Sequence, residues 1–185
     1  MIIVEGPDGA GKTTLIRTLA KEFDVPVAPR VVGKDTKSLT DLRQWVEDNV
    51  TQGWQHRIFD RHRLISQPIY GPILHRAPHD EFVDRAWLAH WYAEFLKIEP
   101  VIIYCLPSLE IVRHNCMNDP DNDNSAVLPY IDYIYAAYAA KATTDALLLP
   151  GQVVVYDYTV DSSTDAFEFV HDLLVDRLVE GIWNR

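Results

Sequence analysis

Short apolar segments alternate along the chain with longer segments in which apolar residues recur at helical spacing. The apolar segments read MIIVE, DVPVAP, HRIFD, PVIIYCL and QVVVYD. The helical segments read TTLIRTLAKEF, SLTDLRQWVEDNV, EFVDRAWLAHWYAEFL, SLEIVRHNCM, YIDYIYAAYAAKA and DAFEFVHDLLVDRLVEGI. Strands that are apolar on both faces and separated by helices are typical of parallel sheets. We therefore predict an α/β fold with a five-stranded parallel sheet and helices on both faces.

Two groups of aromatic residues stand at helical spacing. Tyr130, Tyr133 and Tyr138 lie near one face of a late helix, and Trp87 and Trp91 are one turn apart on an earlier one. A base-stacking platform is one interpretation of the tyrosines. We favour core packing or a subunit contact, because aromatic residues at this spacing usually face the core.

Composition favours one soluble domain that spans residues 1–185. The chain has 185 residues, of which 48% are hydrophobic, so it can bury a core without disulfides or a structural metal. Cys105 and Cys116 form no CxxC pair, and we interpret both as ordinary thiols. The apolar segments are shorter than the roughly 20 residues that cross a bilayer, and no signal-peptide pattern begins the sequence. A cytoplasmic protein without a membrane partner is expected.

The formal net charge of -10 disfavours binding to a long polyanion, so nucleic acid is not an expected partner. A local basic patch can still bind a small phosphate compound. A local cluster keeps a nucleic-acid substrate open as an alternative, and it comprises Arg57, Arg61, Arg63, His75 and Arg76.

Three glycines within six positions, Gly6, Gly9 and Gly11, separate the first predicted strand from the first predicted helix. The segment GPDGAGKT satisfies G-x-x-x-x-G-K-[ST], a loop whose backbone N–H groups and helix N-terminus bind polyphosphates. Lys12 would reach the β- and γ-phosphates, and the Thr13 hydroxyl would coordinate Mg²⁺. We therefore predict ATP and Mg²⁺ as cofactors. The predicted cofactor-binding residues are Gly6, Asp8, Gly9, Ala10, Gly11, Lys12, Thr13 and Thr14.

A second polar group follows the strand HRIFD. Asp60 ends this strand, and Arg61 follows it directly. Ligands of parallel sheets bind at the carboxyl ends of the strands, so both side chains are candidates for catalysis. The alternatives without a function are a helix cap for Asp60 and a surface ion pair for Arg61.

The segments GPDGAGKTT and FDRHRLIS, with the tyrosine-rich late helix, resemble the thymidylate kinase-like branch of the P-loop nucleotide kinases, which has deoxynucleoside kinases as relatives. The resemblance covers nearly the whole chain in the order of its elements, but only the first two motifs are specific. It implies that Arg61 holds the acceptor phosphate and that Asp60 supports Mg²⁺ or positions the acceptor. It also implies that Asp8 lies near the sugar 3′-hydroxyl, that Ser66 contributes to substrate binding, and that the protein forms a homodimer.

The chain departs from the family pattern in two places. The segment between the second predicted strand and the strand HRIFD lacks the family's helix motif, an aromatic residue followed four positions later by arginine, which stacks on thymine and reads it. The expected lid, residues 113–126, carries only Arg113 where the family usually has several arginines, and its NCMNDPDNDNS supplies acidic residues instead. We assign Arg113 to donor-side charge stabilisation and predict that the segment from Asn115 to Ala126 is mobile without ligand.

The end of the second predicted strand bears on the acceptor. A kinase acting on a nucleoside hydroxyl generally needs a carboxylate there as a base, whereas VPVAPR ends in Arg30. The segment resembles the Pro-x-Arg segments that grip the acceptor phosphate in thymidylate kinases. We therefore predict ATP-dependent phosphorylation of a deoxynucleoside monophosphate, a small-molecule substrate held by Arg30 and Arg61.

There are three alternatives to this function. A deoxynucleoside kinase and a kinase acting on a modified base in DNA both remain open. A GTPase switch is disfavoured, because the sequence contains neither an NKxD-type guanine motif nor an Asp-x-x-Gly after the third predicted strand.

Overall fold

A computed structural model of the chain describes residues 1–29, 39–51, 57–75, 85–119, 124–160, 168 and 171–176. The elements with assigned bounds are four strands, six α-helices and one 3-10 helix within those residues. The strands are β1 (Ile2–Glu5), β2 (Ile58–Asp60), β3 (Val101–Cys105) and β4 (Val153–Tyr156). The α-helices are α1 (Lys12–Phe23), α2 (Leu39–Thr51), α3 (Arg63–Ile73), α4 (Arg85–Lys97), α5 (Leu109–Asn118) and α6 (Ile131–Leu148). The 3-10 helix, Leu128–Tyr130, precedes α6, and residues 171–176 are also helical.

The strands form one parallel sheet in the order β2-β1-β3-β4. Ile2 pairs with Ile58 on one side and with Val101 on the other. Every residue of β1 and β3 is buried, because helices cover these strands. The predicted α/β fold with a parallel sheet is confirmed.

Within the described residues, the sheet has four strands instead of the predicted five. The segment predicted as the second strand makes a single parallel bridge, between Val27 and Ile58. Two backbone hydrogen bonds accompany the bridge, from the Ala28 N–H to the Ile58 carbonyl at 2.8 Å and from the Ile58 N–H to the Pro26 carbonyl at 3.1 Å. Pro26 and Pro29 have no N–H to donate, which explains why the ladder does not extend along this edge.

Helix α3 is an element that the hydrophobic pattern did not predict. It contains Pro68 and Pro72, which normally weaken a helix interior by removing backbone donors. Most of its residues are buried, including Leu64, Ile65 and Tyr70, so burial of its apolar face offsets the lost hydrogen bonds. The ring of His62 caps its first turn by accepting a hydrogen bond from the Leu64 N–H at 3.4 Å.

A buried carboxylate joins α4, β3 and α6. Asp145 of α6 is fully buried and accepts hydrogen bonds from the hydroxyl groups of Tyr92 and Tyr104. The ammonium group of Lys141 also donates to Asp145 and lies 4.2 Å from the ring centre of Tyr92. Since a buried charge is tolerated only when it is paired, this network fixes α4 and α6 against the sheet.

The predicted aromatic groups pack unequally. Tyr138 is fully buried, whereas Tyr133 is 70% exposed. Trp87 and Trp91 are half-buried, and their ring centres are 6.4 Å apart. No α-helix among the described residues has both the length and the apolar character needed to cross a membrane.

Candidate functional site

The turn between β1 and α1 has a backbone that only glycine adopts without strain. Gly6, Gly9 and Gly11 have φ angles of 137°, 75° and 80°. A Cβ atom on Gly6 would lie 2.4 Å from the carbonyl oxygen of Cys105, and one on Gly9 would lie 2.9 Å from the Cys116 sulfur. No side chain caps the N-terminus of α1, so its first N–H groups remain available to an anion.

The four carbonyl groups from Gly6 to Gly9 each accept a hydrogen bond from a side chain. Arg61 Nε donates to the Gly6 carbonyl at 3.3 Å, and Lys12 Nζ donates to the Pro7 carbonyl at 2.5 Å. Cys116 Sγ donates to the Asp8 carbonyl at 3.0 Å, and Asn115 Nδ2 donates to the Gly9 carbonyl at 2.7 Å. Lys12 is the first residue of α1, and Arg61 directly follows β2. Asn115 and Cys116 both belong to α5. These four hydrogen bonds define the conformation of the loop.

Asp8, Arg61 and Tyr70 form a polar group beside the loop. The Arg61 guanidinium donates to Asp8 Oδ1 at 2.7 Å and to the Tyr70 hydroxyl at 2.9 Å, and that hydroxyl donates to Asp8 Oδ2 at 2.7 Å. Burial alone would raise the pKa of Asp8. The charges of Arg61 and Lys12 outweigh burial and hold this pKa below its usual range, so Asp8 is ionised at neutral pH.

Glu5, at the end of β1, is a buried carboxylate that the sequence interpretation missed. It accepts hydrogen bonds from the His62 backbone N–H at 2.6 Å and from the Tyr138 hydroxyl at 3.0 Å. Burial raises its pKa to about 7, although the hydrogen bond from His62 and the charge of Arg61 act in the opposite direction. The sequence signal was an acidic residue that ends an otherwise apolar strand.

His62 is a neutral core residue. Its ring is fully buried and stacks on Phe95 at 5.0 Å between ring centres, with the Trp45 ring at 5.2 Å. Burial, assisted by the charge of Arg63, lowers its pKa to about 3. His62 therefore adds no positive charge to the site at neutral pH.

An open pocket of about 350 Å³ lies over the loop. Seven of the eight predicted cofactor-binding residues line it, and Gly6 is the exception. Its lining comprises residues 8–14, Asp60, Arg61, His114, Asn115, Asn118, Asp119 and Asn124. The pocket thus joins the loop, the end of β2 and the C-terminal end of α5.

Thr13 and Asp60 are the candidate ligands for Mg²⁺. Both line the pocket, and a hydroxyl and a carboxylate provide the oxygen atoms that Mg²⁺ prefers. The described residues contain no cluster of three or more His, Cys, Asp or Glu side chains suited to a metal. Mg²⁺ in nucleotide sites is usually bound through one or two protein oxygens together with nucleotide phosphates and water.

Lys12 is buried at the start of α1. Burial lowers its pKa to about 8, and the nearby charge of Arg61 acts in the same direction. Asp8 and Asp60 partly oppose this effect. An anionic ligand in the pocket would favour the protonated ammonium group, so the affinity of the site for phosphate is linked to this proton.

Two other predicted site residues, Arg113 and Ser66, do not line this pocket. The Arg113 guanidinium forms a two-point ion pair with Asp132 of α6, with Nε at 2.9 Å from the carboxylate, and its side chain is 42% exposed. The Ser66 hydroxyl donates to the His62 carbonyl at 3.2 Å within α3. Arg30 lies outside the described residues, as does Arg76.

The predicted lid starts inside a helix. Residues up to Asn118 belong to α5, residues 120–123 lie outside the described part, and Asn124 donates to the Cys116 carbonyl at 3.2 Å. Asn115 and Asn124 therefore contact the loop or its supporting helix. Sequence reasoning placed Asn115 in a mobile segment and missed this contact.

Solved structures with the same fold contain nucleotides. The YorR protein of Bacillus subtilis, in complex with phosphorylated GDP, is 18% identical with a TM-score of 0.71, and the match covers 97% of each chain. Deoxyadenosine kinase from M. mycoides with bound dATP is 15% identical with a TM-score of 0.64, covering 93% of this chain and 98% of that one. The same enzyme with bound dCTP gives 16% identity and a TM-score of 0.60, covering 95% of this chain and all of the other.

No protein-family model matches the sequence, and the search of curated proteins gave no match either. At identities of 18% and below, the likeness to solved structures shows the fold of this chain but not its activity. The chain has the three-layer α/β fold of the P-loop kinases.

Proposed function

We propose that this protein transfers the γ-phosphoryl group of ATP, in the presence of Mg²⁺, to a deoxynucleoside monophosphate. One observation carries the proposal. The glycine loop and Arg61, whose guanidinium is paired with Asp8 and Tyr70, meet at one pocket, so a candidate phosphate-binding loop lies next to a second, charged group. A phosphotransferase needs this combination, because it must hold a donor and an acceptor side by side.

On the donor side, the N–H groups of the loop and of the first turn of α1 bind the phosphates of ATP. Lys12 leaves the Pro7 carbonyl and donates to the β- and γ-phosphates. Thr13 and Asp60 would hold Mg²⁺, which would supply positive charge to neutralise the transferred group. The adjacent charges do most of the catalysis, because phosphoryl transfer needs positioning and neutralisation more than covalent chemistry.

On the acceptor side, Arg61 holds the acceptor phosphate. Asp8 and Tyr70 fix the plane of its guanidinium group, so its remaining N–H groups are already oriented for a phosphate. Arg30 supplies the second cation in this proposal. A phosphate oxygen is anionic at neutral pH, so the transfer needs no general base.

A deoxynucleoside is the second candidate acceptor, favoured by the ionised state of Asp8. A carboxylate in the pocket could accept the proton of an attacking hydroxyl group. The likeness to a deoxyadenosine kinase is compatible with this alternative. Against it, Asp8 already accepts two hydrogen bonds, from Arg61 and Tyr70.

The test is a panel of the common deoxynucleosides, their monophosphates and a DNA oligonucleotide, each incubated with ATP and Mg²⁺. Products are separated by phosphate count. We expect a monophosphate to be the best acceptor and Lys12→Ala to abolish its phosphorylation. Lys21→Ala is the matched control, since Lys21 is an exposed lysine at the far end of the same helix.

The panel separates the alternatives. A nucleoside that outperforms its monophosphate would replace the proposed acceptor with the second candidate. Labelling of the oligonucleotide alone would indicate a kinase acting on DNA. A folded Lys12→Ala protein with wild-type turnover would contradict the proposed role of the loop.

Three further expectations stay predictions. Residues 113–126 are proposed to close over the donor with Arg113, which would require its ion pair with Asp132 to break. A homodimer is proposed from the family resemblance, and sedimentation measurements test it. A cytoplasmic location stays a prediction from the short apolar segments of the sequence.

A further inference from the structure

Helix α5 supports the glycine loop through side chains near its C-terminal end. Asn115 Nδ2 donates to the Gly9 carbonyl at 2.7 Å and to the Tyr158 hydroxyl at 2.9 Å. Cys116, the next residue, donates from its thiol to the Asp8 carbonyl at 3.0 Å. Two successive carbonyl groups of the loop are thus held by two successive residues of α5.

Tyr158 connects this support to the far end of the loop. It follows β4, and its ring packs on Gly11, where an added Cβ would lie 2.8 Å from the ring carbon Cε1. Asn115 therefore joins Gly9 directly and Gly11 through the tyrosine. The segment from Gly9 to Gly11 leads directly into helix α1, which begins at Lys12.

The planarity of the peptide bond gives these contacts a consequence for ligand binding. In a trans peptide, the carbonyl group and the following N–H group point in opposite directions. When α5 holds the carbonyl groups of Asp8 and Gly9, it fixes the directions of the N–H groups of Gly9 and Ala10. These N–H groups belong to the loop that lines the pocket.

Glycine makes this support necessary. Gly9 has a φ angle of 75°, and a glycine peptide can rotate between conformations that other residues cannot reach. Each disordered peptide in the free loop would add an entropic cost when phosphate binds. A hydrogen bond that holds the peptide in advance removes part of that cost.

We propose that Asn115, acting through the Gly9 carbonyl and the Tyr158 hydroxyl, is a positioning residue that sets the affinity of the glycine loop for the donor's phosphates. The inference rests on the proposed function, since it assigns the loop to the donor nucleotide. It predicts an effect confined to the donor, because the acceptor group of Asp8, Arg61 and Tyr70 has no hydrogen bond to the Asn115 side chain.

The experiment measures binding of ADP with Mg²⁺ by calorimetry, together with the KM values for ATP and for the acceptor. Asn115→Leu keeps the size of the side chain but removes the donor, and we expect it to weaken ADP binding by about 10-fold. Asn115→Asp puts an oxygen atom against the Gly9 carbonyl and should weaken it further. The KM for ATP should rise in parallel, while the KM for the acceptor stays within about 2-fold.

Two more variants complete the design. Tyr158→Phe keeps the ring over Gly11 and removes only the hydroxyl acceptor, so a loss of about 2- to 5-fold is expected without a folding defect. Met117→Ala is the matched control on the same helix, because Met117 is 61% exposed and does not line the pocket. It should bind ADP as the wild type does.

The outcomes distinguish this inference from the proposed function. If the wild type binds ADP and both Asn115→Leu and Tyr158→Phe bind it equally well, the inference is wrong and the proposed function stands. Equal rises in the KM for ATP and for the acceptor would also overturn it, since they would indicate a general structural defect. A wild-type protein that binds no ADP would overturn the proposed function, and this inference with it.

Discussion

The guanidinium group of Arg61 lies 2.7 Å from the carboxylate of Asp8, so one ion pair joins the end of β2 to the glycine loop. Arg61 has a φ angle of 66°, an uncommon conformation for a residue with a side chain. Its backbone N–H donates to the Val4 carbonyl at 3.0 Å, which holds this conformation. The strained backbone directs the side chain toward the loop, a feature that often marks functional positions.

The first prediction is that Arg61→Lys lowers kcat/KM for the acceptor by about 100-fold and leaves the KM for ATP within about 3-fold. Arginine forms hydrogen bonds to Gly6, Asp8 and Tyr70 at once through its planar fork, whereas lysine offers a single flexible ammonium group. Steady-state kinetics with each substrate varied in turn measures both values. Arg17→Lys, an exposed position on α1, is the control.

The second prediction concerns the pH dependence of donor binding. Lys12 has its pKa lowered to about 8 in the free protein, and a bound phosphate favours its protonated form. The affinity for ADP with Mg²⁺ should be constant below pH 8 and fall by up to about 10-fold per pH unit above it. Calorimetry between pH 7 and about pH 9 tests this. In Lys12→Met the affinity should be weak and independent of pH, and a persistent slope would assign the titration to another group.

The third prediction separates backbone strain from steric conflict at glycine. Gly9 and Gly151 have φ angles of 75° and 76°, so alanine at either position pays the same conformational cost of about 1 kcal/mol. A Cβ on Gly9 would also lie 2.8 Å from the Val112 carbonyl, whereas nothing lies within 4 Å of one on Gly151. Gly9→Ala should therefore lose clearly more unfolding free energy than Gly151→Ala in urea titrations, and it alone should weaken ADP binding.

Sequence reasoning found the parts of the site that depend on local order. The glycine loop is contiguous from Gly6 to Thr13, so its motif is visible without a structure. Asp60 and Arg61 lie beside it because parallel strands end at one edge of the sheet. Tyr70 was missed, because the prolines of α3 obscured the helix that carries it.

The contacts of α5 depend on which face of the helix meets the loop, and the sequence does not specify this. Successive residues of a helix are rotated by about 100°, so Arg113 and Asn115 point to nearly opposite sides. Asn115 faces the loop, and Arg113 consequently faces Asp132 on α6. The choice of Arg113, the only arginine of the segment, followed the family pattern, and its proposed role at the donor requires the ion pair with Asp132 to break.

The last prediction concerns stability and follows from the buried carboxylate of Glu5. Its pKa is raised from 4.5 to about 7 in the folded protein. Below pH 4.5 both the folded and the unfolded states hold the proton, so burial carries no ionic penalty. As pH rises from 4.5 to about 7, the unfolded state ionises first, and the folded state loses about 3 kcal/mol relative to it.

Glu5→Gln removes this ionisation while keeping an oxygen acceptor for the His62 N–H. The free energy of unfolding of the variant minus that of the wild type should therefore rise by about 3 kcal/mol between pH 4.5 and 7.5 and change little above that. Urea titrations at several pH values measure this difference. The lowered pKa of His62 also makes the unfolding free energy depend on pH, but this contribution is the same in both proteins and cancels in the difference. Glu22→Gln, at an exposed position of α1, should show no such trend. A difference that is flat, or that falls with pH, would mean that Glu5 is ionised in the folded protein and is held by the charges of Arg61 and Lys12 instead.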